Sequence, residues 1–279
     1  MNLKEIQKVV GMIQTHVFRN SNSYTSGILK SHFRGSGLQF KEHQVYVPGD
    51  DVRFIDWKLS AKSNQAFVKT FEEERNVEIF ICVDLTPTLF YGHNRISKLQ
   101  GIVETVALFY LLAKETSDLV RVVIWGAGEE VILPPKKGHE GLVFFVSHLE
   151  RLGILKEDGT PNFDIQFKLQ PVSEKKKIVR LKTLLARRKE VIYLGDLSAI
   201  EDLNEFSRLF SFKNMNCFRF FSPVDKLTKS PFFMKIKTGA GKVITGDIQV
   251  NTQELVKKQR YKEIGIHERY LEKVVRELM

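Results

Sequence analysis

The stretch VEIFICVDLTPT, residues 77–88, decides the fold. Its first eight residues, VEIFICVD, form an almost unbroken apolar run that ends in Asp84. A strand that is buried on both faces of a parallel sheet has this composition, because helices cover both of its sides. A loop of threonine and proline follows at once. The stretch therefore predicts a central strand over 77–84 whose carboxyl end leads directly into a polar loop.

Apolar runs and helical stripes alternate along the chain after this strand. The apolar positions between Ile96 and Ala113 step by three and four residues, which predicts a helix over 96–115. The same patterns predict strands at 119–126, 129–135, 191–196 and 216–223, and helices at 139–152, 173–189 and 200–211. Repeated strand–helix–strand units predict an α/β fold with an open, mostly parallel sheet.

The two flanks of this region follow other patterns. Residues 2–19 carry helical spacing, whereas 30–76 are rich in glycine, charge and single aromatic residues, which predicts short strands and turns. Near the other end, 232–248 predicts a hairpin around GAG, and Asn251 can cap a helix that starts at Thr252. We therefore predict three parts: an N-terminal extension at 1–76 that packs on the main domain, an α/β domain at 77–225, and a C-terminal hairpin and helix at 226–279.

Positive charge is concentrated in the last third of the chain. Residues 171–279 contain 23 Lys and Arg against 13 Asp and Glu, whereas 1–170 contain 20 of each kind. The basic runs at 174–177 and 186–190 predict a solvated helix face. The alternative is a surface for an acidic protein, an anionic membrane or a nucleic acid. Aromatic residues are not interleaved with these charges, as a platform for single-stranded nucleic acid needs.

The placement of the cysteines and the hydropathy of the chain indicate the cellular compartment. Cys82 and Cys217 both lie in apolar runs, which predicts buried, reduced thiols. The sequence shows no secretory signal pattern and no apolar stretch long enough to span a bilayer. These features predict a cytoplasmic protein. A peripheral contact with the inner membrane, through the amphipathic segment 2–17 and the basic face, is an alternative.

Polar side chains follow two of the predicted strands at the point where each strand ends. Asp84 and Asp196 occupy these positions, and ligands of open α/β sheets bind at this edge, where the strand order reverses. Thr86 and Thr88 alternate with Asp84 along DLTPT, so in an extended loop the three side chains share one side. Thr160, in the loop DGTPN, adds a hydroxyl. Such oxygen ligands suit Mg²⁺, although a simple turn is the alternative.

A long signature precedes the central strand. Its parts are a Gly-x-Gly-x-x-Phe start, a Tyr-x-x-Gly-Asp-Asp run, an Ile-Asp-Trp triplet and a Lys-x-Phe-Glu-Glu-Glu-Arg stretch, here at 35–40, 46–51, 55–57 and 69–75. This signature closely resembles that of the domain of unknown function 58 family, whose members carry a von Willebrand factor A-like domain. The D-x-T-x-T pattern is in turn similar to the D-x-S-x-S metal-ion-dependent adhesion site of such domains.

The resemblance implies a three-layer α/β/α fold and a bound Mg²⁺ or Mn²⁺. The metal residues that it implies are Asp84, Thr86, Thr88, Thr160 and Asp196. In such domains the open coordination position of the metal takes a carboxylate from a partner protein, and no chemistry is done. Both serines of the motif are threonines here, and Pro87 stiffens the loop between them, which implies weak or absent metal binding.

The resemblance also implies the kind of partner. Proteins of this family are commonly encoded beside MoxR-type AAA+ ATPases and Bat-type von Willebrand A proteins, which implies a non-catalytic adaptor without a small-molecule substrate. A metal-dependent hydrolase or nuclease that uses Asp50, Asp51 and Asp56 with the acidic run at 72–74 is a second hypothesis. It lacks a P-loop and a histidine metal motif. Nucleic-acid binding through the basic last third is a third hypothesis.

The segment VPGDDVRFIDW, residues 47–57, is the most acidic part of the signature. Aspartates beside Pro and Gly commonly bond back to nearby backbone amides, and arginine can hold a carboxylate with two parallel hydrogen bonds. We therefore predict a polar turn that docks the N-terminal extension onto the sheet, with a partner-binding surface as the alternative. The residues concerned are Asp50, Asp51, Arg53, Asp56 and Trp57.

Overall fold

A computed structural model of the chain describes residues 38–63, 65–73, 77–126, 128–226, 234–237, 243–246 and 261–278. The predicted helix at 2–19 lies outside the described residues, as do the predicted start of the tail helix at Thr252 and the GAG of the C-terminal hairpin.

The described chain opens with an antiparallel hairpin. Its elements are strand β1 (Leu38–Val45), a 3-10 turn (Val52–Phe54), helix α1 (Trp57–Ser63) and strand β2 (Phe67–Glu73). In the pairing of the two strands, Val45 lies opposite Phe67. Short strands and turns were predicted for this part of the chain, and the structure confirms them.

Strands and helices then alternate as the sequence predicts. In chain order they are β3 (Glu78–Asp84), β4 (Gly92–His93), β5 (Ile96–Ser97), α2 (Lys98–Thr116), β6 (Leu119–Trp125), β7 (Val131–Ile132), α3 (Gly138–Arg151), α4 (Glu174–Ala186), β8 (Glu190–Gly195), α5 (Leu203–Ser207), β9 (Met215–Phe221), β10 (Met234–Lys237), β11 (Val243–Gly246), β12 (Lys262–Gly265) and α6 (Tyr270–Leu278). β7 is shorter than the predicted strand at 129–135. β10 and β11 are antiparallel, which confirms the C-terminal hairpin.

The main sheet has six strands in the order β12-β9-β8-β3-β6-β7. All neighbouring pairs are parallel except β6 with β7, which is antiparallel. An open, mostly parallel sheet is therefore confirmed. The prediction of one helix from Thr252 onward is wrong at 262–265, where the chain forms β12 and pairs with β9. The sheet thus includes residues beyond the predicted domain boundary at 225.

Helices cover both faces of this sheet. Successive side chains of a strand point to opposite faces. Along β3, Ile79, Ile81 and Val83 pack in one core with α2, α3 and α6, whereas Phe80 and Cys82 pack in a second core with α4 and α5. This arrangement confirms the three-layer α/β/α fold. Both cysteines are buried and free, as predicted.

A close backbone approach joins the ends of β3 and β6. Leu85 donates its amide to the carbonyl of Trp125 at 2.8 Å, and Gly126 follows with a φ of +113°. A Cβ at Gly126 would lie 2.3 Å from the carbonyl oxygen of Leu85, which is far inside van der Waals contact. Only glycine therefore fits between these two strand ends, and the contact fixes where the polar loop after β3 begins.

We expect Gly126→Ala to destabilise the protein more than Gly128→Ala does. Both glycines have positive φ, so both variants carry the backbone cost of about 1 kcal/mol that a side chain has in this region. Among the residues that the structure describes, a Cβ at Gly128 would meet only Gln170, at 3.6 Å. The overlap with Leu85 should lower the free energy of unfolding of Gly126→Ala by roughly 2 kcal/mol more, measured by urea denaturation. Equal losses would contradict the close approach.

Candidate functional site

Two strand-end aspartates meet at the centre of the sheet. From β3 the sheet continues through β6 and β7 on one side. On the other side of β3 lies β8, followed by β9 and β12. The strand order therefore reverses between β3 and β8. Asp84 is the last residue of β3, and Asp196 directly follows β8. Both side chains are buried. The reversal point of an open α/β sheet is where such proteins bind ligands, which makes this edge the candidate site.

Asp84 is held by a buried lysine from one helix layer. It points to the face on which Phe80 and Cys82 pack, and α4 covers that face. The Lys177 ammonium of α4 donates to both carboxylate oxygens of Asp84 at 2.7 Å. The Tyr193 hydroxyl donates to the same carboxylate at 2.6 Å. Lys177 is 0% exposed, so this ion pair is closed to solvent.

Asp196 is surrounded by hydroxyl groups. Thr86 donates to its Oδ1 atom at 3.0 Å, and Thr88 donates to its Oδ2 atom. Ser198 adds its hydroxyl at 2.7 Å and its backbone amide at 3.1 Å, both to Oδ1. The hydroxyls of Thr86 and Thr88 are 2.9 Å apart. The structure therefore brings together three of the predicted site residues, Thr86, Thr88 and Asp196, beside Asp84.

A second buried lysine reaches Asp196 from the opposite helix layer. Lys98 lies in the first turn of α2, where Ser97 caps the helix by accepting from the Gln100 amide at 3.0 Å. Its ammonium donates to Asp196 at 3.0 Å and to Asp225 at 3.1 Å. The lysine is 1% exposed. Each strand-end aspartate therefore has its own buried ammonium partner.

Burial and these partners act in opposite directions on the two carboxyl groups. Burial raises the pKa of Asp84 above its ordinary value, and the Lys177 ammonium and the Tyr193 hydroxyl oppose that rise. Burial would also raise the pKa of Asp196, but the Lys98 ammonium and the hydroxyls of Thr88 and Ser198 outweigh it and leave the pKa below its ordinary value. Asp196 is therefore ionised at neutral pH.

Thr160 takes part in a different network. Its hydroxyl donates to Asp158 at 2.6 Å, its amide donates to the same carboxylate at 2.9 Å, and its carbonyl accepts from the Lys156 amide at 2.8 Å. These bonds stay within one loop, which lines a cavity with Phe90 and Phe163. The position predicted for Thr160 beside Asp196 is occupied by the Ser198 hydroxyl.

Sequence reasoning missed Ser198 and both lysines, although Ser198 and Lys177 each left a signal. Ser198 repeats after β8 the spacing that follows β3, since DLS at 196–198 parallels DLT at 84–86. Lys177 is placed on the apolar stripe of its helix, four residues before the buried Leu181. The interpretation of the run at 174–177 as a solvated face is therefore wrong for Lys177.

Asp50 and Asp51 of the signature accept hydrogen bonds from residues close to them in the sequence. Asp50 accepts from the Val47 amide at 2.9 Å. Asp51 accepts from the Arg53 amide at 3.0 Å and from its guanidinium Nε, also at 3.0 Å. The Arg53 guanidinium lowers the pKa of Asp51 to about 2. This pairing has the polar-turn chemistry that the sequence predicts for the segment.

Asp56 ties the turn to the hairpin strands. It accepts from the amides of Lys58 at 3.1 Å and Leu59 at 3.0 Å, at the start of α1. It also contacts the His43 imidazole at 3.0 Å and the Lys69 ammonium at 3.3 Å, on β1 and β2. The Leu59 amide and the His43 ring lower the pKa of Asp56 to about 2. One carboxylate therefore joins the helix to both strands.

Hydrogen-bond donors already contact the carboxylate oxygens of both strand-end aspartates. Every carboxylate oxygen of Asp84 and Asp196 already accepts from an ammonium, a hydroxyl or an amide. In the described residues, no three His, Cys, Asp or Glu side chains are grouped as a metal site. The residues as arranged do not fit the metal ion that the resemblance implies.

The fold and this edge define a class of three-layer α/β/α protein with a buried polar cluster at its reversal point. The model of the family described as Protein of unknown function DUF58 matches residues 42–211, more than half of the chain. The chain belongs to this family.

Known relatives and structures resemble parts of the chain. The Uncharacterized protein Rv1480 of Mycobacterium tuberculosis (strain ATCC 25618 / H37Rv) is 26% identical over 106 residues, which are 38% of this chain and 33% of that protein. The Uncharacterized protein Mb1516 of Mycobacterium bovis (strain ATCC BAA-935 / AF2122/97) has the same values. The chain thus matches about a third of the length of these relatives.

Among solved structures, BatB from Bacteroides thetaiotaomicron has 13% identity and a TM-score of 0.40, covering 72% of this chain and 97% of that one. The SpRpn10 VWA domain has 14% identity and a TM-score of 0.34, covering 52% of this chain and 75% of that one. Within the part of the chain that the structure describes, no helix has both the length and the apolar character that crossing a membrane requires.

We expect the pairing of Lys177 with Asp84 to be essential for stability. Lys177→Met leaves a buried carboxylate without its counter-ion, which should lower the free energy of unfolding by about 3–5 kcal/mol. The double variant Lys177→Met/Asp84→Asn should recover much of this loss, because the uncompensated charge is gone. Lys176→Met, one residue away on the exposed side of α4, is the matched control.

Urea denaturation of the wild type, Lys177→Met, Asp84→Asn and the double variant measures the interaction as a double-mutant cycle, and Lys176→Met is measured beside them. A loss for Lys177→Met that is no larger than the loss for Lys176→Met would show that the buried pair contributes nothing.

We expect the contribution of Asp56 to disappear in acid. Its pKa is lowered from 3.8 to about 2, so the stability that it adds is fully present above pH 3.8 and is lost as the pH falls through about 2. The difference in Tm between the wild type and Asp56→Asn should therefore be constant above pH 3.8 and shrink below it. A difference that stays constant down to pH 2 would contradict the ionised network.

Proposed function

We propose that this chain is a non-catalytic protein-interaction module that works as an adaptor for a MoxR-type AAA+ ATPase. The observation that carries the proposal is a set of exposed apolar side chains within the family signature. We call this set the signature surface; its members are Val45 (52% exposed), Val47 (60%), Val52 (57%), Phe54 (36%) and Trp57 (71%). Exposed apolar side chains that follow one another at such short spacing in the sequence are typical of a surface that contacts another protein.

The composition of the signature surface suits a protein partner. Tryptophan and arginine are enriched among the residues that contribute most to binding, and Trp57 follows Arg53, whose side chain is 81% exposed, by four residues in the sequence. Valine and phenylalanine around them supply apolar area.

The local hydrogen bonds give this surface a fixed shape. Asp51 holds the 3-10 turn that carries Val52 and Phe54, and Asp56 holds the start of the helix that begins with Trp57. Ordering these side chains in advance lowers the entropy that binding costs. The same acids that could have suggested a catalytic site therefore support a docking surface.

Several contacts favour a binding role over hydrolysis. A two-metal hydrolase needs carboxylates that converge on shared ions. Here Asp50, Asp51 and Asp56 each bond to a different set of neighbours: the Val47 amide, Arg53, and the group formed by α1, His43 and Lys69. The buried carboxylates at the sheet edge are likewise occupied by ammonium and hydroxyl donors.

The choice of partner rests on the family. Domain of unknown function 58 proteins are commonly encoded beside MoxR-type ATPases and Bat-type von Willebrand A proteins, so these are the partners to test first. The contact that we propose does not pass through a metal ion, because the carboxylates that would hold one are buried and already paired.

We expect Trp57→Ala to weaken binding to the MoxR-type ATPase. Loss of a central tryptophan typically costs 2 kcal/mol or more, which is about 30-fold in Kd. Because Trp57 is 71% exposed, the variant should melt at the same temperature as the wild type. The matched control is Phe212→Ala, which removes a 48% exposed aromatic side chain outside the signature.

Titration of the purified ATPase with each protein, followed by calorimetry, gives the three Kd values. Wild-type affinity in Trp57→Ala, or equal losses in both variants, would refute the signature surface as the docking site. Absence of ATPase binding by the wild type would refute the choice of partner.

A further inference from the structure

We infer that Lys98 and Lys177 take the place of the divalent cation at the carboxyl edge of the sheet, so that this site binds neither Mg²⁺ nor Mn²⁺. The two ammonium groups would be permanent, covalently attached counter-ions of the strand-end aspartates. This inference concerns the chain alone and does not depend on the identity of any partner.

Hydrogen-bond donors already occupy the oxygen atoms that would bind a metal. A carboxylate that binds a metal must present an oxygen lone pair to it. Both oxygens of Asp84 accept from Lys177 at 2.7 Å, and the Tyr193 hydroxyl adds a third donor. Asp196 accepts from Lys98 at 3.0 Å and from the hydroxyls around it. A cation would have to displace donors from Asp196, and it would reach Asp84 only beside the Lys177 ammonium.

The charges at this edge also oppose a metal ion. Two ammonium groups carry the same total charge as one Mg²⁺ ion, and each lies against a strand-end aspartate, with Asp225 sharing the Lys98 ammonium. Adding a divalent cation beside Lys98 and Lys177 would bring like charges together in a buried region, where the effective dielectric constant is low and the repulsion is strong. A metal ion could therefore bind only if the two lysine ammonium groups moved away from the aspartates.

Both lysine side chains are almost completely shielded from solvent. Lys98 is 1% exposed and Lys177 is 0% exposed. Each belongs to a helix that packs on the sheet, and the two helices lie on opposite faces, so the ammonium groups approach the aspartates from both layers. Moving either one into water would require its helix to shift from the core.

Buried ammonium groups cannot recognise a partner in the way that an adhesion-type metal ion does. An adhesion-type metal offers a coordination position to a partner carboxylate, whereas these ammonium groups are buried and cannot touch a partner. Binding by the signature surface, if the proposed function is right, should therefore be the same in EDTA as in Mg²⁺.

The test is a series of melting curves of the full chain in EDTA, Mg²⁺ and Mn²⁺. The wild-type Tm should not change with either metal. In the double variant Lys98→Ala/Lys177→Ala, which frees the oxygen ligands, saturating Mn²⁺ should raise Tm by roughly 5 °C or more. Adding Asp84→Asn to that variant should abolish the rise, because it removes a ligand.

A metal-dependent rise of the wild-type Tm that is lost in Asp84→Asn would overturn the inference, whereas an equal rise in both proteins would place the ion elsewhere and support it. A folded double variant that gains no response to Mn²⁺ would also overturn it, because something other than the lysines would then exclude the metal. If the double variant does not fold, equilibrium dialysis of the wild type against Mn²⁺ decides between the outcomes.

These results do not depend on the ATPase. Failure to bind the ATPase would refute the proposed function and leave the metal result standing, whereas metal binding by the wild type would refute this inference and leave the signature surface standing.

Discussion

The rest of the structure depends on compensating two buried carboxylates. Parallel strands β3 and β8 are neighbours, so the residues at their carboxyl ends, Asp84 and Asp196, must lie side by side. Two negative charges in this position would be very costly without counter-charges. Lys98 from α2 and Lys177 from α4 supply them from the two faces. The ion pairs therefore fix both helix layers relative to the centre of the sheet.

The sequence predicts the sheet and the meeting of the aspartates for a simple physical reason. Buried parallel strands are long apolar runs, and their carboxyl ends share one edge, so local pattern alone places Asp84 near Asp196. β12 could not be predicted in this way. KEIG at 262–265 is short and half charged, and it becomes a strand only because it pairs with β9, far away in the chain.

The two lysines show the same limit of prediction from local sequence patterns more clearly. Lys177 stands in a basic run that looks solvated, and its partner Asp84 is 93 residues away. The periodic pattern of the helix shows that Lys177 shares a face with Leu181, but it cannot show that the carboxylate of Asp84 packs against that face. The resemblance to adhesion-type sites is limited in the same way. A sequence motif shows the spacing of the ligand residues, but it does not show which groups neutralise the charge of those residues.

Charge consequently has two separate uses in this chain. At the sheet edge it is buried and paired, and there it holds the layers together without meeting a partner. In the signature it is exposed and local: Asp51 and Asp56 shape a turn and a short helix, and apolar side chains such as Phe54 and Trp57 are exposed in the same segment. Because the buried charges are closed to solvent, the recognition that we propose uses the exposed surface, where fixed backbone geometry and apolar area act together.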